Sequence, residues 1–166
     1  MVRLMAENLL FNTALNKAMA LCAGREMCSF DINRKLISWG VTGDDNGKIL
    51  ALLNRGKFID EERFAAAFVK DKFRYNKWGR IKLGAALRMK KIPDEIIRKA
   101  LDSIDEEEYL DLLKNIILKQ RKAVKAKSEY ELRGKLLRHC LAKGFESHLL
   151  YDLLNDADWP VGSSQR

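Results

Sequence analysis

Cysteine, histidine and carboxylate side chains are the usual means of binding a metal or moving a proton. In this chain of 166 residues their spacing does neither. Cys22 and Cys28 lie six residues apart with no histidine nearby. His139 and Cys140 are adjacent, and His148 follows nine residues after His139. None of these matches the close ligand pairs of a zinc site. Asp44-Asp45-Asn46-Gly47 lacks the ligand spacing of a calcium loop and reads as a turn or helix cap. Asp60, Glu61 and Glu62 could suggest an acid pair, but at a helix start they cap the helix and oppose its dipole. Asp105 to Glu108 read the same way, with a contact to a basic partner as the alternative. No phosphate loop, nucleophile elbow or HExxH segment occurs. The expectation is a protein with no catalytic set, no metal and no cofactor, hence not an enzyme.

Charge is the chemistry that remains. The chain has 31 Lys+Arg against 23 Asp+Glu, a formal net charge of +8. The surplus is concentrated. Lys70, Lys72, Arg74, Lys77, Arg80, Lys82, Arg88, Lys90 and Lys91 face one acid, Asp71, in the stretch they span. The ten basic residues from Lys114 to Lys143 face two acids, Glu129 and Glu131. Each block is +8, so the rest of the chain is −8. Two such blocks suggest a polyanionic partner, either nucleic acid or an acidic protein groove. The alternative is that the lysines solvate the backs of helices.

The elements that must position these charges read as helices. Only two prolines, Pro93 and Pro160, interrupt the chain, and no segment alternates as a strand would. Ser29 precedes the run Ile32, Leu36, Ile37, which Gly40 ends; Asp60 can cap the run Phe64, Ala65, Phe68, Val69, Phe73. Pro93 suits a first helical position ahead of Ile96, Ile97 and Leu101. Asp105 with Glu108, and Ser128 with Glu131, have the spacing of a capping box. Tyr109, Leu112, Leu113, Ile116, Ile117, Gln120 and Val124 keep helical periodicity over about five turns. No window is long and apolar enough to cross a membrane, and the first residues, with Glu7 among them, do not read as a secretory signal. Three scattered cysteines suit a reducing, cytoplasmic setting.

The helices repeat. Ile32, Leu36 and Val41 recur as Leu83, Leu87 and Ile92 at an offset of 51, then as Leu136, Cys140 and Phe145 at a further 53. A longer helix precedes each copy and a short amphipathic one follows. The fold class expected is all-α: three tandem three-helix repeats, about nine helices, stacked into an elongated, curved array. The expected boundaries are 1–56 with an N-terminal extension, 57–104, 105–156, and a flexible tail over 157–166 that includes Trp159. Gly40 and Gly144 fall at the left-handed position after a helix, whereas the middle copy has Lys91 there. Equal geometry would leave Lys91 strained.

The segment Gly56-Lys57-Phe58-Ile59-Asp60-Glu61-Glu62-Arg63-Phe64-Ala65 is distinctive, as are Lys77-Trp78-Gly79-Arg80-Ile81-Lys82-Leu83 and Ile92-Pro93-Asp94-Glu95-Ile96-Ile97. Together they resemble the RecX family, bacterial regulators of the RecA recombinase. Gly56, Ile59, Asp60, Phe64, Ala65, Gly79 and Ile92 are the family-motif positions, expected to be structural. The resemblance extends over roughly Thr13 to Asn155 and departs from the family at Glu61, for a second aspartate, and at Lys91, for a glycine. It implies a cytoplasmic, monomeric, non-enzymatic modulator, mostly an inhibitor. Such a protein lies in the groove of the RecA filament on single-stranded DNA. It limits ATP hydrolysis, strand exchange and filament growth, and so regulates DNA repair, homologous recombination and the SOS response.

The expected contact residues are Arg63, Lys70, Lys72, Arg74, Lys77, Arg80, Lys82, Arg88, Lys114, Arg121, Lys122, Lys125, Lys127 and Arg133. On a helical wheel Lys70, Arg74 and Lys77 fall within about 40° of Arg63, opposite Phe64, Ala65, Phe68 and Val69. Lys114, Arg121 and Lys125, with Lys122 adjacent, form a second such stripe. The same stripes would serve a protein that binds nucleic-acid phosphates directly. Trp39 and Trp78 read as packing between helices, Cys140 as a small buried hydrophobe, and His139 as a surface residue.

Overall fold

A computed structural model of the chain describes residues 1–156; the tail expected over 157–166, with Trp159, lies outside the described residues. The described residues form nine helices and no strand: α1 (Val2–Gly24), α2 (Ser29–Ser38), α3 (Asp44–Arg55), α4 (Glu61–Asn76), α5 (Arg80–Met89), α6 (Asp94–Asp102), α7 (Glu106–Ala123), α8 (Glu129–Ala142) and α9 (Ser147–Asn155). Each third helix from the start is long: α1, α4 and α7 have 23, 16 and 18 residues.

Side-chain caps begin three of these helices where the sequence placed them. The Asp60, Asp105 and Ser128 oxygens accept from the N–H of Arg63 (2.9 Å), Glu108 (2.9 Å) and Glu131 (3.1 Å). Each satisfies one N–H that the first turn leaves unpaired, a contribution of about 1 kcal/mol. The start of α2 differs from expectation. Cys28 is its N-cap and makes no side-chain capping bond. Ser29 is already helical, and its N–H donates to Glu61 Oε1 at 2.8 Å. The carboxylate that opens α4 therefore also caps α2, 32 residues earlier in the chain.

Three helix ends at equivalent places in the repeat share one hydrogen-bond pattern, which the end of α3 also shows around Lys57 at φ 56. Val41, Ile92 and Phe145 donate to the carbonyls of Leu36 (3.0 Å), Leu87 (3.2 Å) and Cys140 (3.2 Å). The preceding residues Gly40, Lys91 and Gly144 donate to Ile37, Arg88 and Leu141. These are Schellman turns, which need a left-handed residue at that second position. Gly40 and Gly144 supply it at φ 85 and 90; Lys91 adopts φ 57 with a Cβ. All nine residues of the repeated triplet (Ile32, Leu36, Val41; Leu83, Leu87, Ile92; Leu136, Cys140, Phe145) are buried. The spacing is thus a real structural period: two turns of helix face the core, and the residue after the turn folds back onto it.

The chain divides into two compact units: Met1–Phe68 with Leu87–Ile97, and Val69–Ala86 with Arg98 onward. In the first, α1 packs on α2 and α3. Its core holds Ala14, Ala18, Met27, Ile32, Leu36, Val41, Ile49, Leu53 and Ile59, with Trp39 packed against it. In the second, Tyr109, Leu113 and Ile117 of α7 meet a core that includes Leu136, Cys140, Phe145, Leu150 and Leu154. The Tyr109 ring lies 5.9 Å from Phe73 and 5.2 Å from Phe145. Such aromatic neighbours add to the stability that burial alone provides.

Candidate functional site

The second half of α4 has two faces. Val69 and Phe73 are buried, and Lys70 and Arg74 on the opposite side are exposed. Neither cation makes an ion pair or a side-chain hydrogen bond among the described residues. The stripe ends sooner than the wheel suggested. The helix stops at Asn76, and Lys77 turns left-handed at φ 58, so it is not the stripe's fourth member. Its side chain is exposed beyond the helix end. The second stripe is cut in the same way. α7 ends at Ala123 and Val124 is extended, which leaves Lys125 and Lys127 in the following loop. Lys122 is exposed on the last turn of α7, and Lys114 and Arg121 are half-buried.

Several expected contact residues are committed to the fold. Arg63 donates to Glu26 at 2.8 Å and to the Lys57 carbonyl at 3.0 Å. Arg88 pairs with Asp94 at 3.0 Å. Arg133 donates to the Leu154 carbonyl at 2.7 Å and so holds α8 to α9. Lys72 and Lys82 place their ammonium groups 5.4 and 4.8 Å from the Trp78 ring, which explains this tryptophan without a stacked base. Arg121 also has a partner within the fold.

Arg80 is the most constrained. Its guanidinium lies 3.9 Å above the Tyr109 ring and bonds Glu106 at 2.6 Å, with Glu146 at 3.5 Å. Its backbone N–H donates to the Tyr109 hydroxyl, which in turn donates to Glu146. Burial and the bond to Glu146 hold the phenol above its usual range. Here the starts of α5, α7 and α9 are joined by one polar network. Beside it the Gly79 N–H donates to the Lys143 carbonyl at 2.8 Å, and Ile81 donates to the Gly144 carbonyl at 3.0 Å. A Cβ on Gly79 would sit 2.4 Å from the Gly144 oxygen, so only glycine permits this approach.

Among the expected contact residues most arginines are engaged within the fold, and the lysines other than Lys72 and Lys82 are not. Arginine's planar fork satisfies carbonyls and carboxylates within the fold, and Arg74 is the one expected arginine left over. Of the expected contact residues, those without a side-chain partner among the described residues are Lys70, Arg74, Lys77, Lys114, Lys122, Lys125 and Lys127. All seven belong to the second unit. That unit carries nineteen basic residues against thirteen acids, and the first twelve against ten. The remaining motif residues are structural: Ile59, Phe64, Ala65 and Ile92 are buried, and Gly56 ends α3.

Cys28 and Cys140 are fully buried, and burial pushes both thiols up to about 11. His139 is half-buried rather than on the surface; burial and then Lys143 lower its pKa. Among the described residues no group of three metal-binding side chains converges. None of their helices is long and apolar enough to cross a membrane.

Repeated Schellman turns, buried triplets and a cationic second unit define a helical-repeat protein whose exposed chemistry is positive charge. The model for the second three-helix domain of RecX matches residues 60–101. The regulatory protein RecX of Prosthecochloris aestuarii is 30% identical over 143 residues, spanning 86% of this chain and 92% of that one. The regulatory protein RecX of Chlorobaculum tepidum is 29% identical over 135 residues, 81% of this chain and 82% of that one. The crystal structure of RecX from Lactobacillus salivarius covers 86% of this chain and 93% of its own, with a TM-score of 0.74 at 18% identity. A second RecX crystal structure gives a TM-score of 0.82 at 22% identity, over 93% of this chain and 76% of its own. The chain belongs to the RecX family of regulatory proteins.

Proposed function

We propose that this protein is a non-enzymatic regulator of the RecA recombinase. It binds in the groove of the RecA filament on single-stranded DNA and limits ATP hydrolysis, strand exchange and filament growth. Such binding would regulate DNA repair and recombination. The carrying observation, beside family membership, is the exposed Lys70–Arg74 face of α4, backed by buried Val69 and Phe73. A rigid helix can present cations with no internal partner to an acidic groove at little ordering cost. Lys77, Lys114, Lys122, Lys125 and Lys127, in the same compact unit, extend the contact over the second and third repeats, 57–104 and 105–156. The test is RecA ATP hydrolysis on single-stranded DNA with substoichiometric protein. Inhibition is expected; an unchanged rate would reject the proposal.

Direct binding to nucleic acid is the second reading, favoured by the same seven cations. It requires affinity for bare single-stranded DNA that falls steeply with salt as counterions are released. Binding only in the presence of RecA would exclude it.

A further inference from the structure

A cavity of about 580 Å³ opens in the first unit, and none of its lining residues is assigned above to the filament contact. Its floor is apolar: Met27 and Phe64, both nearly fully buried, and the half-buried Phe68. Its rim is cationic: Arg25, Arg34 and Lys35 line it and are exposed. Arg34 and Lys35 make no side-chain hydrogen bond or ion pair among the described residues. The fourth cation of the lining, Lys90, is neutralised by Asp31, whose two oxygens it bonds at 2.8 and 2.6 Å.

The lining holds one further polar group without a partner. Glu26 Oε1 accepts from Arg63, but Oε2 is buried and has no hydrogen-bond partner. A buried acceptor left unpaired costs about 1–3 kcal/mol. The volume is in the range of ligand pockets that surround one large side chain and its neighbouring backbone.

We propose that this cavity docks an acidic peptide segment of a partner protein through one large apolar side chain. The apolar side chain rests on Met27, Phe64 and Phe68. Flanking carboxylates pair with Arg34 and Lys35. Charge complementarity favours a peptide over a nucleic acid. An apolar floor for one side chain, with only Arg34 and Lys35 as unpaired cations on the rim, suits a short peptide bearing few acids and not a continuous phosphate backbone. The inference concerns a surface lined by none of the cations assigned to the filament contact and stands whether or not the recombinase is the partner.

The test is fluorescence anisotropy with the whole chain and three labelled probes. One is a capped octapeptide of serines and aspartates around a single phenylalanine; another replaces its aspartates with lysines; the third is an eight-nucleotide oligothymidylate. The acidic peptide should bind and the lysine peptide should not. Arg34→Glu with Lys35→Glu, both exposed and unpartnered, should weaken the acidic peptide by about tenfold or more. Lys70→Glu with Arg74→Glu should leave it unchanged. Failure of the acidic peptide to bind, or equal binding by the Arg34 and Lys35 variant, overturns the proposal. So does capture of the oligothymidylate alone, lost in that same variant, which would make the cavity a nucleotide site. Circular dichroism of each variant separates lost binding from lost fold.

Discussion

Lys91→Gly should stabilise the protein. Lys91 holds φ 57 at the position where the equivalent turns use Gly40 and Gly144. For an L-residue the left-handed region costs roughly 1–2 kcal/mol. Glycine removes that cost but adds about 0.4–1 kcal/mol of unfolded-state entropy to be lost on folding. The side chain of Lys91 is exposed and makes no hydrogen bond or ion pair among the described residues that the change would break; its N–H bond to Arg88 is backbone and remains. The net gain is therefore about 0.5–1 kcal/mol, or a rise of roughly 1–4 °C in Tm for a chain of this length. Urea titration followed by helical circular dichroism measures it as a higher midpoint at constant slope. The reciprocal change at Gly144 must go the other way and further, because a Cβ there would lie 2.3 Å from Lys82 Cβ. A midpoint for Lys91→Gly equal to or below wild type would refute the equivalence of the three turns.

Gly79→Ala should destabilise by at least about 2 kcal/mol, since its Cβ must separate two backbones joined by the Gly79–Lys143 and Ile81–Gly144 bonds; urea unfolding reads the loss. Tyr109→Phe should cost about 1–3 kcal/mol by stranding the Arg80 N–H and Glu146, with an unchanged fold by circular dichroism. In the native protein at pH 8, Cys22 should react with iodoacetamide first. Cys28 and Cys140, buried and held up to about 11, should react only as the protein opens; three equal rates would contradict their burial.

The fold was legible because its signals are local. A period of 3.6, three side-chain caps and a recurring triplet each follow from neighbouring residues. The turn at Lys91 was legible for the same reason, from two glycines at equivalent positions. What escaped was tertiary. Glu61, a departure from the family motif, caps α2 across 32 residues, a relation no local pattern contains. The helical wheel also assumed continuity. It carried Lys77 and Lys125 onto stripes that end at Asn76 and Ala123. Charge counting could not separate cations spent on the fold from cations left over. Residue type held part of that information, because Arg63, Arg80 and Arg133 bond carbonyls and carboxylates within the fold while Lys70, Lys77 and Lys122 do not, although Lys82 and Lys135 do.

The central claim is that the unpartnered cations of the second unit meet the RecA filament. Its most direct test compares two double charge reversals for binding to RecA filaments on single-stranded DNA, by co-sedimentation and by electron microscopy of the filaments. Lys70→Glu with Arg74→Glu should weaken binding and leave filaments as long as without the protein. Lys48→Glu with Arg55→Glu, an equal charge change on α3, should bind and shorten filaments as wild type does. Equal loss in the two variants, or no loss in the first, would contradict the account.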